Sequence, residues 1–286
     1  EMIKIDYDKR RDPIERAKCL NEADVAFLCL PDDAAREAVG LVTNPNTRII
    51  DASTAYRTAP DWTYGLPELS EKHREAVVGS KRLSNPGCHA TAFILSAYPL
   101  VASKVMSPDF PVTCQSLTGY SGGGKALIDK YEQNDGKNDY TKAPRPYGLT
   151  LNHKHLPEMT LRSGLSQDPV FIPILGNNYK GLAVLLPIHT KLLSKQLTAK
   201  NIHELLSEHY QNEKFVKVLP YSDDSVLFDG AVDITACNAS RLPWMSPRIA
   251  YLVPSPIDAL APVPPRSTHA FSNASATTRS SVVVIF

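Results

Sequence analysis

Between Asp24 and Arg57 the chain alternates in a way that few folds can accommodate. Asp24-Val-Ala-Phe-Leu-Cys-Leu30 is a continuous apolar run, Ala34 to Val42 carries a helical pattern, and Arg48-Ile-Ile50 leads straight into Asp51-Ala-Ser-Thr54. A strand that is apolar on both faces must be covered on both. Strand, helix, strand in this order does so with a parallel sheet flanked by helices. Ligands of such sheets sit at the carboxyl ends of the strands. Those ends are Leu30-Pro31-Asp32 and Asp51 to Arg57.

A second region begins near Cys88. Ala90 to Val101 is apolar and reads as a helix, and Val112 to Leu117 alternates like a strand. Val170 to Leu175, Gly181 to Ile188 and Phe215 to Leu219 read as further strands. Asn201 to Tyr210 is an amphipathic helix with Ile202, Leu205, Leu206 and Tyr210 on one face. Strands and helices in this looser order suggest an α+β domain. The end of the chain has another character. From Ala239 to Phe286 there is no Gly and one acidic residue, Asp258, while seven prolines crowd between Pro243 and Pro265. Prolines at that density break helix and sheet alike. Residues 239–286 therefore read as a poorly structured tail, without periodicity until Val282-Val-Val-Ile285.

Bulk properties exclude several classes of function. The formal charge is +1, so nothing asks for a nucleic acid or another polyanion. No apolar run approaches the roughly 20 residues of a membrane span, and the polar stretch Glu1 to Arg11 is no signal peptide. The five cysteines, Cys19, Cys29, Cys88, Cys114 and Cys237, are scattered and form no CxxC pair, so no zinc site is expected. A reducing, cytoplasmic setting fits them. Cys29 and Cys114, inside strand patterns, read as small buried hydrophobes.

Ser84-Asn-Pro-Gly-Cys88 joins a turn signal to the start of an apolar helix. Cys88 is then expected in the first turn, where unpaired N–H groups and the helix dipole favour a thiolate. The alternative is a cysteine buried beneath a turn. In His153-Lys-His155-Leu-Pro-Glu158-Met, an extended backbone would point both imidazoles to one side. Pro157 suits the start of a helix, with Glu158 in its first turn. One ring could exchange a proton with the thiol or an oxyanion, and Glu158 could orient a ring. A solvated polar loop is the bland alternative; a metal site lacks a further clustered ligand. Arg57, past a buried strand, suits phosphate recognition or an ordinary salt bridge. Gly119-Tyr-Ser-Gly-Gly-Gly-Lys125 could approach a phosphate or a ring closely, or be a simple turn. The remaining histidines read as structural or surface residues, with His89 open because it adjoins Cys88.

Taken together, six segments resemble the N-acetyl-gamma-glutamyl-phosphate reductase family, from about residue 10 to Asn238. They are Ala23 to Asp33, Ile50 to Arg57, Tyr64-Gly-Leu-Pro-Glu68, Asn85-Pro-Gly-Cys88, Gly119 to Lys125, and Leu151 to Met159. Each is weak alone; in register they are specific. The resemblance implies an α/β protein: a Rossmann NADP-binding domain over residues 1–87, here incomplete, and an α+β catalytic and oligomerisation domain over 88–238. It implies a small-molecule acyl-phosphate substrate, with phosphate as product, and a homo-oligomer, dimer or tetramer. Cys88 would attack the acyl phosphate to give a thioester. His153 resembles the acid/base residue, with His155 and Glu158 as its neighbours. Arg57 would meet the substrate phosphate, and Ser53, Ser121 and Gly122 would face the nicotinamide end of NADP. No metal is implied.

Three departures stand against this pattern. The family opens with a strand and a glycine-rich phosphate loop that this chain lacks, which predicts weak NADP affinity. Nothing in 239–286 resembles the family's closing strands and helix, as though a reading frame had shifted. His89-Ala90-Thr91 stands where the family has an aromatic residue and Pro before Thr. The rival readings are an aspartate-semialdehyde dehydrogenase-like enzyme and a non-catalytic remnant.

Overall fold

The computed structural model describes residues 2–133, 141–219, 221, 250–252 and 282–285. By packing, the chain divides into two units. One comprises residues 1–67, 71–86 and 258–286; the other comprises 68–70 and 87–257.

The first unit is built on an all-parallel sheet. Its strands are β1 (Met2–Ile3), β2 (Val25–Leu28), β3 (Arg48–Asp51), β4 (Thr63–Tyr64) and β5 (Arg82–Ser84), with a further strand, Val282–Ile285. Across the sheet the order is β1, Val282–Ile285, β2, β3, β5, β4. Helices α1 (Pro13–Glu22), α2 (Asp32–Gly40) and α3 (Glu71–Gly79) connect the strands. The apolar run that announced β2 is covered as expected: Ala26, Leu28 and Ile49 have no exposure. Val282–Ile285, at the end of the stretch read as a poorly structured tail, forms a strand that pairs with β1 and β2. Ala250–Leu252 likewise forms a strand. The rest of 239–286 lies outside the described residues.

Backbone groups at the start of β3 are met by side chains. Thr47, fully buried, donates its hydroxyl to the carbonyls of Leu20 and Ala23. Asn21, in the last turn of α1, holds the loop between α2 and β3. Its Nδ2 donates to the carbonyls of Ala17 and Leu41, and its Oδ1 accepts from the backbone N–H groups of Thr43 and Asn44, each at 2.7 Å.

The second unit carries a four-stranded mixed sheet and an apolar helix. The strands are β6 (Thr113–Thr118), β7 (Arg145–Pro146), β8 (Val170–Leu175) and β9 (Leu182–Leu185), in the order β7, β8, β6, β9. The pair β6–β8 is parallel; β6–β9 and β7–β8 are antiparallel. The strand expected over 181–188 stops at Leu185, close before Pro187, whose ring supplies no N–H to a ladder. Helix α4 (Cys88–Ala102) is apolar almost all round, as a helix must be when neighbours cover every side. Phe93, Ile94 and Ala97 have no exposure. It packs on α6 (Leu156–Ser163) and α7 (Ala199–Tyr210), while α5 (Lys125–Glu132) follows the glycine-rich loop. Tyr210 ties α7 to α4 by donating its hydroxyl to the Leu95 carbonyl at 2.7 Å. A short parallel pair, β10 (Val216–Val218) with β11 (Ala250–Leu252), completes the unit.

Asn21→Ala removes at once two donors and the acceptor for two backbone N–H groups. It should lower stability by about 2–4 kcal/mol, read as a shifted urea midpoint at unchanged slope. A loss of only a few tenths would mean that water takes over these bonds.

Candidate active site

Cys88 is the first residue of α4 and is exposed. The turn before it is fixed from beneath. Gly87 is the helix N-cap and has no side chain to supply a cap; its carbonyl accepts from the N–H and the hydroxyl of Thr91, each at 2.8 Å. Its own N–H donates to Glu158 Oε2 at 3.1 Å. No acidic residue lies in the first turn of α4. The positive end of this long helix is therefore left to the thiol and to whatever binds beside it.

Glu158 sits in the first turn of α6, after Pro157, and is 1% exposed. Its other oxygen lies 3.9 Å from Nε2 of the buried His155. One carboxylate thus joins the turn before Cys88 to His155 of the histidine pair. The pair does not lie on the extended backbone expected for it: residues 154 and 155 form a turn, and the N–H of His155 donates to His153 Nδ1 at 3.2 Å. The turn still brings the two rings together, with centroids 4.8 Å apart. Because Nδ1 of His153 accepts, a neutral His153 carries its proton on Nε2. Burial first, and the Lys154 charge second, hold it below the ordinary histidine value.

Three groups join the cluster that the sequence reading left out or open. His89 is 4% exposed, with ring centroid 5.7 Å from His153 and 5.6 Å from His155. Its Nδ1 lies 2.7 Å from Ser116 Oγ and its Nε2 lies 2.9 Å from the Tyr147 hydroxyl. Burial, then His153 and Lys154, push it down to about 3. Tyr147 is pushed up to about 12, by burial and by the charge of Cys88. Ser116 and Tyr147 lie on β6 and just after β7, far from Cys88 in sequence. Position 116 gave one faint signal, an inward place in an alternating strand.

The other candidates lie at strand ends. Asp51 is fully buried at the carboxyl end of β3 and accepts from the Ser53 hydroxyl at 2.6 Å. Burial holds its carboxyl above the usual range. Arg57 is buried rather than splayed on the surface. Its Nε donates to the Asn85 carbonyl at 3.0 Å and its Nη2 to the Ala52 carbonyl at 3.1 Å. Ser121 and Gly122 lie in the short helical turn Tyr120–Gly123 that follows β6. This loop is pinned by backbone bonds from Tyr120 and Ser121 to the carbonyls of Asn178 and Tyr179. A Cβ at Gly119 or Gly123 would come within 2.7 or 2.3 Å of the chain itself; at Gly122 the nearest atom is Thr118 Oγ1 at 3.5 Å. Of these three glycines, Gly122 leaves the most open surface for a ligand.

One cysteine departs from its expected place. Cys29 is exposed, because β2 ends at Leu28 and Cys29 falls beyond it, at the carboxyl edge of the sheet. Cys114 is buried as expected, and burial pushes its thiol up to about 12. Cys237 and His269 lie outside the described residues. Among the described residues no helix is long and apolar enough to cross a membrane, and no group of three or more His, Cys, Asp or Glu could hold a metal ion.

A neutral buried histidine has a measurable consequence. The folded His89 ring stays neutral down to about 3, whereas an unfolded one takes its proton near 6.5. Between those values the unfolded state binds more protons, so stability falls as the pH drops. One such ring contributes a slope of about 1.4 kcal/mol per pH unit. Urea unfolding at about pH 7.5 and about pH 5 should show wild type losing more stability than His89→Leu by that slope. Parallel losses would overturn this assignment.

Comparison with known proteins adds the family. The semialdehyde dehydrogenase NAD binding domain matches residues 4–77, and the semialdehyde dehydrogenase dimerisation domain matches residues 88–240. An N-acetyl-gamma-glutamyl-phosphate reductase 2 from Nostoc sp. is 45% identical over 248 residues, 85% of this chain and 76% of that protein. An N-acetyl-gamma-glutamyl-phosphate reductase from Burkholderia lata is 40% identical over 79% of this chain and 71% of its own length. Among solved structures, aspartate semialdehyde dehydrogenase from Francisella tularensis aligns with a TM-score of 0.55 at 15% identity, over 75% of this chain and 71% of that one. The Vibrio cholerae aspartate semialdehyde dehydrogenase II aligns at 0.53 and 12%, over 70% of this chain and 63% of that one. The structural likenesses speak to the α/β fold.

Proposed function

The chain belongs to the N-acetyl-gamma-glutamyl-phosphate reductase family, and from that premise we propose that it reduces N-acetyl-L-glutamyl 5-phosphate to N-acetyl-L-glutamate 5-semialdehyde with NADP as cofactor. The observation that carries this reading is an exposed cysteine at an uncapped helix start, held by the carboxylate that also touches the histidine pair.

The chemistry follows from these groups. The Cys88 sulfur attacks the acyl carbon; the carbon–oxygen bond to phosphate breaks and a thioester remains. The thiol proton leaves with the phosphate, and His153, with its proton on Nε2, steadies the charge that gathers on the departing oxygens by donating a hydrogen bond from that N–H. When bound, the nicotinamide cofactor supplies the hydride that reduces the thioester. The resulting thiohemiacetal collapses, expelling the Cys88 thiolate and releasing the aldehyde. Backbone N–H groups at the start of α4 stabilise the oxyanion. Glu158 and His155 position the reacting groups. Arg57 is held by its bonds to the Asn85 and Ala52 carbonyls, and its guanidinium is the cation assigned to the substrate phosphate.

Ser53, Ser121 and Gly122 would hold the nicotinamide end of the cofactor. The hydroxyls and the open surface at Gly122 fit it. Among the described residues, the helices of the first unit do not offer its pyrophosphate a vacant start. Each already carries a carboxylate in its first turn: Glu15 in α1, Asp32 and Asp33 in α2, and Glu71 in α3. We assign residues 88–238 the catalytic and oligomer-forming role, with a homodimer or tetramer as the working unit in a reducing cytoplasm. The aspartate-semialdehyde reading has only the distant structural likeness behind it.

The test is a phosphate-dependent assay in the oxidative direction. Protein, N-acetylglutamate semialdehyde, phosphate and NADP are mixed, and NADPH absorbance is followed. Cys88→Ser should abolish the rise, and His153→Asn should slow it by about 100-fold or more. Turnover by Cys88→Ser at the wild-type rate would sink the thioester route. A rise with aspartate semialdehyde alone would favour the rival substrate.

A further inference from the structure

Two residues other than glycine hold a positive φ among the described residues, Lys104 at 59° and Leu151 at 57°. A Cβ makes this backbone unfavourable, and Asn or Asp tolerates it better than Leu. Lys104 has a common reason for it. It follows the last turn of α4, where its N–H returns to the Val101 carbonyl at 2.9 Å and that of Val105 to the Leu100 carbonyl at 3.0 Å, the left-handed exit of many helices. Leu151 ends no helix. Burial does not compensate it either, since the residue is 59% exposed. An outlier that neither a helix exit nor packing explains points to a constraint elsewhere.

That constraint lies two residues on, at His153. The N–H of Leu151 donates to the Gly148 carbonyl at 3.0 Å and closes a tight turn through Leu149 and Thr150. The start of the turn is tied to β8 by the Tyr147 N–H, which donates to the Pro173 carbonyl at 3.0 Å. Its far side is tied to the start of α6. There the Leu156 N–H donates to the His153 carbonyl at 2.9 Å, and the His155 N–H donates to His153 Nδ1. Gly148, at φ 63°, backs onto the ring: a Cβ there would stand 3.9 Å from His153 Cδ2 and 3.4 Å from Pro173 Cγ. Phe171 of β8 meets the same ring edge to face, with centroids 5.0 Å apart. His89 faces it from α4, Tyr147 from just after β7, and Lys154 and His155 from its own segment. His89 is itself fixed, because the buried Ser116 hydroxyl finds an acceptor in its Nδ1 at 2.7 Å.

Resting on the reading of His153 as the group that steadies the departing phosphate, we propose that Leu151 is a positioning residue for it. Its left-handed backbone reverses the chain between β7 and α6, and so lays the imidazole against Gly148 and Phe171 with Nδ1 turned to the His155 N–H. The backbone of Leu151 does this, not its exposed side chain. An ordinary extended or helical backbone at 151 would carry Asn152 and His153 away from the turn. With Nδ1 engaged, Nε2 is the nitrogen whose direction this corner sets.

The experiment separates backbone from side chain. Leu151→Asn removes the leucine but accepts a left-handed backbone; Leu151→Val keeps an apolar side chain and, being β-branched, opposes it. The titration of His153 is followed by NMR on full-length protein carrying isotope-labelled histidine, its signal assigned by the loss in His153→Asn. In wild type the ring takes its proton below the ordinary histidine value. Leu151→Asn should keep that titration and raise the urea midpoint, as strain is relieved. Leu151→Val should move the titration up toward the ordinary value and slow phosphate-dependent NADPH formation by about tenfold, because the ring is displaced. A Leu151→Val titration that overlays wild type would overturn the proposal, as would a Leu151→Asn titration displaced as far as that of Leu151→Val. Should Leu151→Val fail to fold by circular dichroism, Gly148→Ala decides, since a Cβ opposes the positive φ of that corner. A raised His153 titration in that variant supports the proposal, and an unmoved one overturns it. A titration that moves while turnover stays at the wild-type rate upholds the positioning and counts against the part given to His153 in the reductase reading alone.

Discussion

The hydrogen bond from the Gly87 N–H to the buried Glu158 carboxylate is the constraint on which the second unit's site depends. It joins segments 71 residues apart in the chain. One end is the turn that aims Cys88; the other is the first turn of α6, which carries the histidine pair at its start. A buried carboxylate without partners would be costly, and this one is compensated by a backbone donor and an imidazole. Cys88 itself can therefore be exposed without being loosely placed. Its backbone opens a helix in which Ala90, Phe93, Ile94 and Ala97 have no exposure, while Cys88 itself meets solvent.

Around that constraint the imidazoles are kept neutral by burial, not by each other alone. His89 and His153 are both held below the ordinary value, and burial leads the causes in each. Neutral rings are directional: one nitrogen donates and the other accepts. The backbone N–H of His155 commits Nδ1 of His153, and Ser116 commits Nδ1 of His89. In both rings the proton is thereby assigned to Nε2. A cluster of charged imidazoles would have had no such polarity and would have repelled itself.

Much of this was legible in the residues. The double-sided apolar run at Val25 to Leu28 could be satisfied only by a covered parallel strand. Asn-Pro-Gly before an apolar helix placed Cys88 at a helix start, and Pro157 placed Glu158 in a first turn. What escaped were contacts set by strand pairing. Ser116 and Tyr147 reach His89 because β7, β8 and β6 lie side by side, and no local pattern encodes that neighbourhood. Cys29 was misjudged because an apolar run does not say where the strand ends within it. That Val282–Ile285 is an inner strand was not legible, since its neighbours β1 and β2 stand at the opposite end of the chain.

The helix starts divide the labour of charge. Those of α1, α2 and α3 carry carboxylates of their own, and Asp32 is further engaged by the N–H and hydroxyl of Thr54. Their dipoles are spent on stability. The start of α4 has neither a side-chain cap nor an acid, and its sequence there is Cys-His-Ala-Thr. An uncapped start forgoes about 1 kcal/mol that a Ser or Asp N-cap would contribute. That loss is intelligible if the anion belongs there only during reaction, as a thiolate or an oxyanion. A permanent carboxylate in the first turn would oppose both, and the buried one that supports the turn, Glu158, is instead bonded to the N–H of Gly87, behind the thiol.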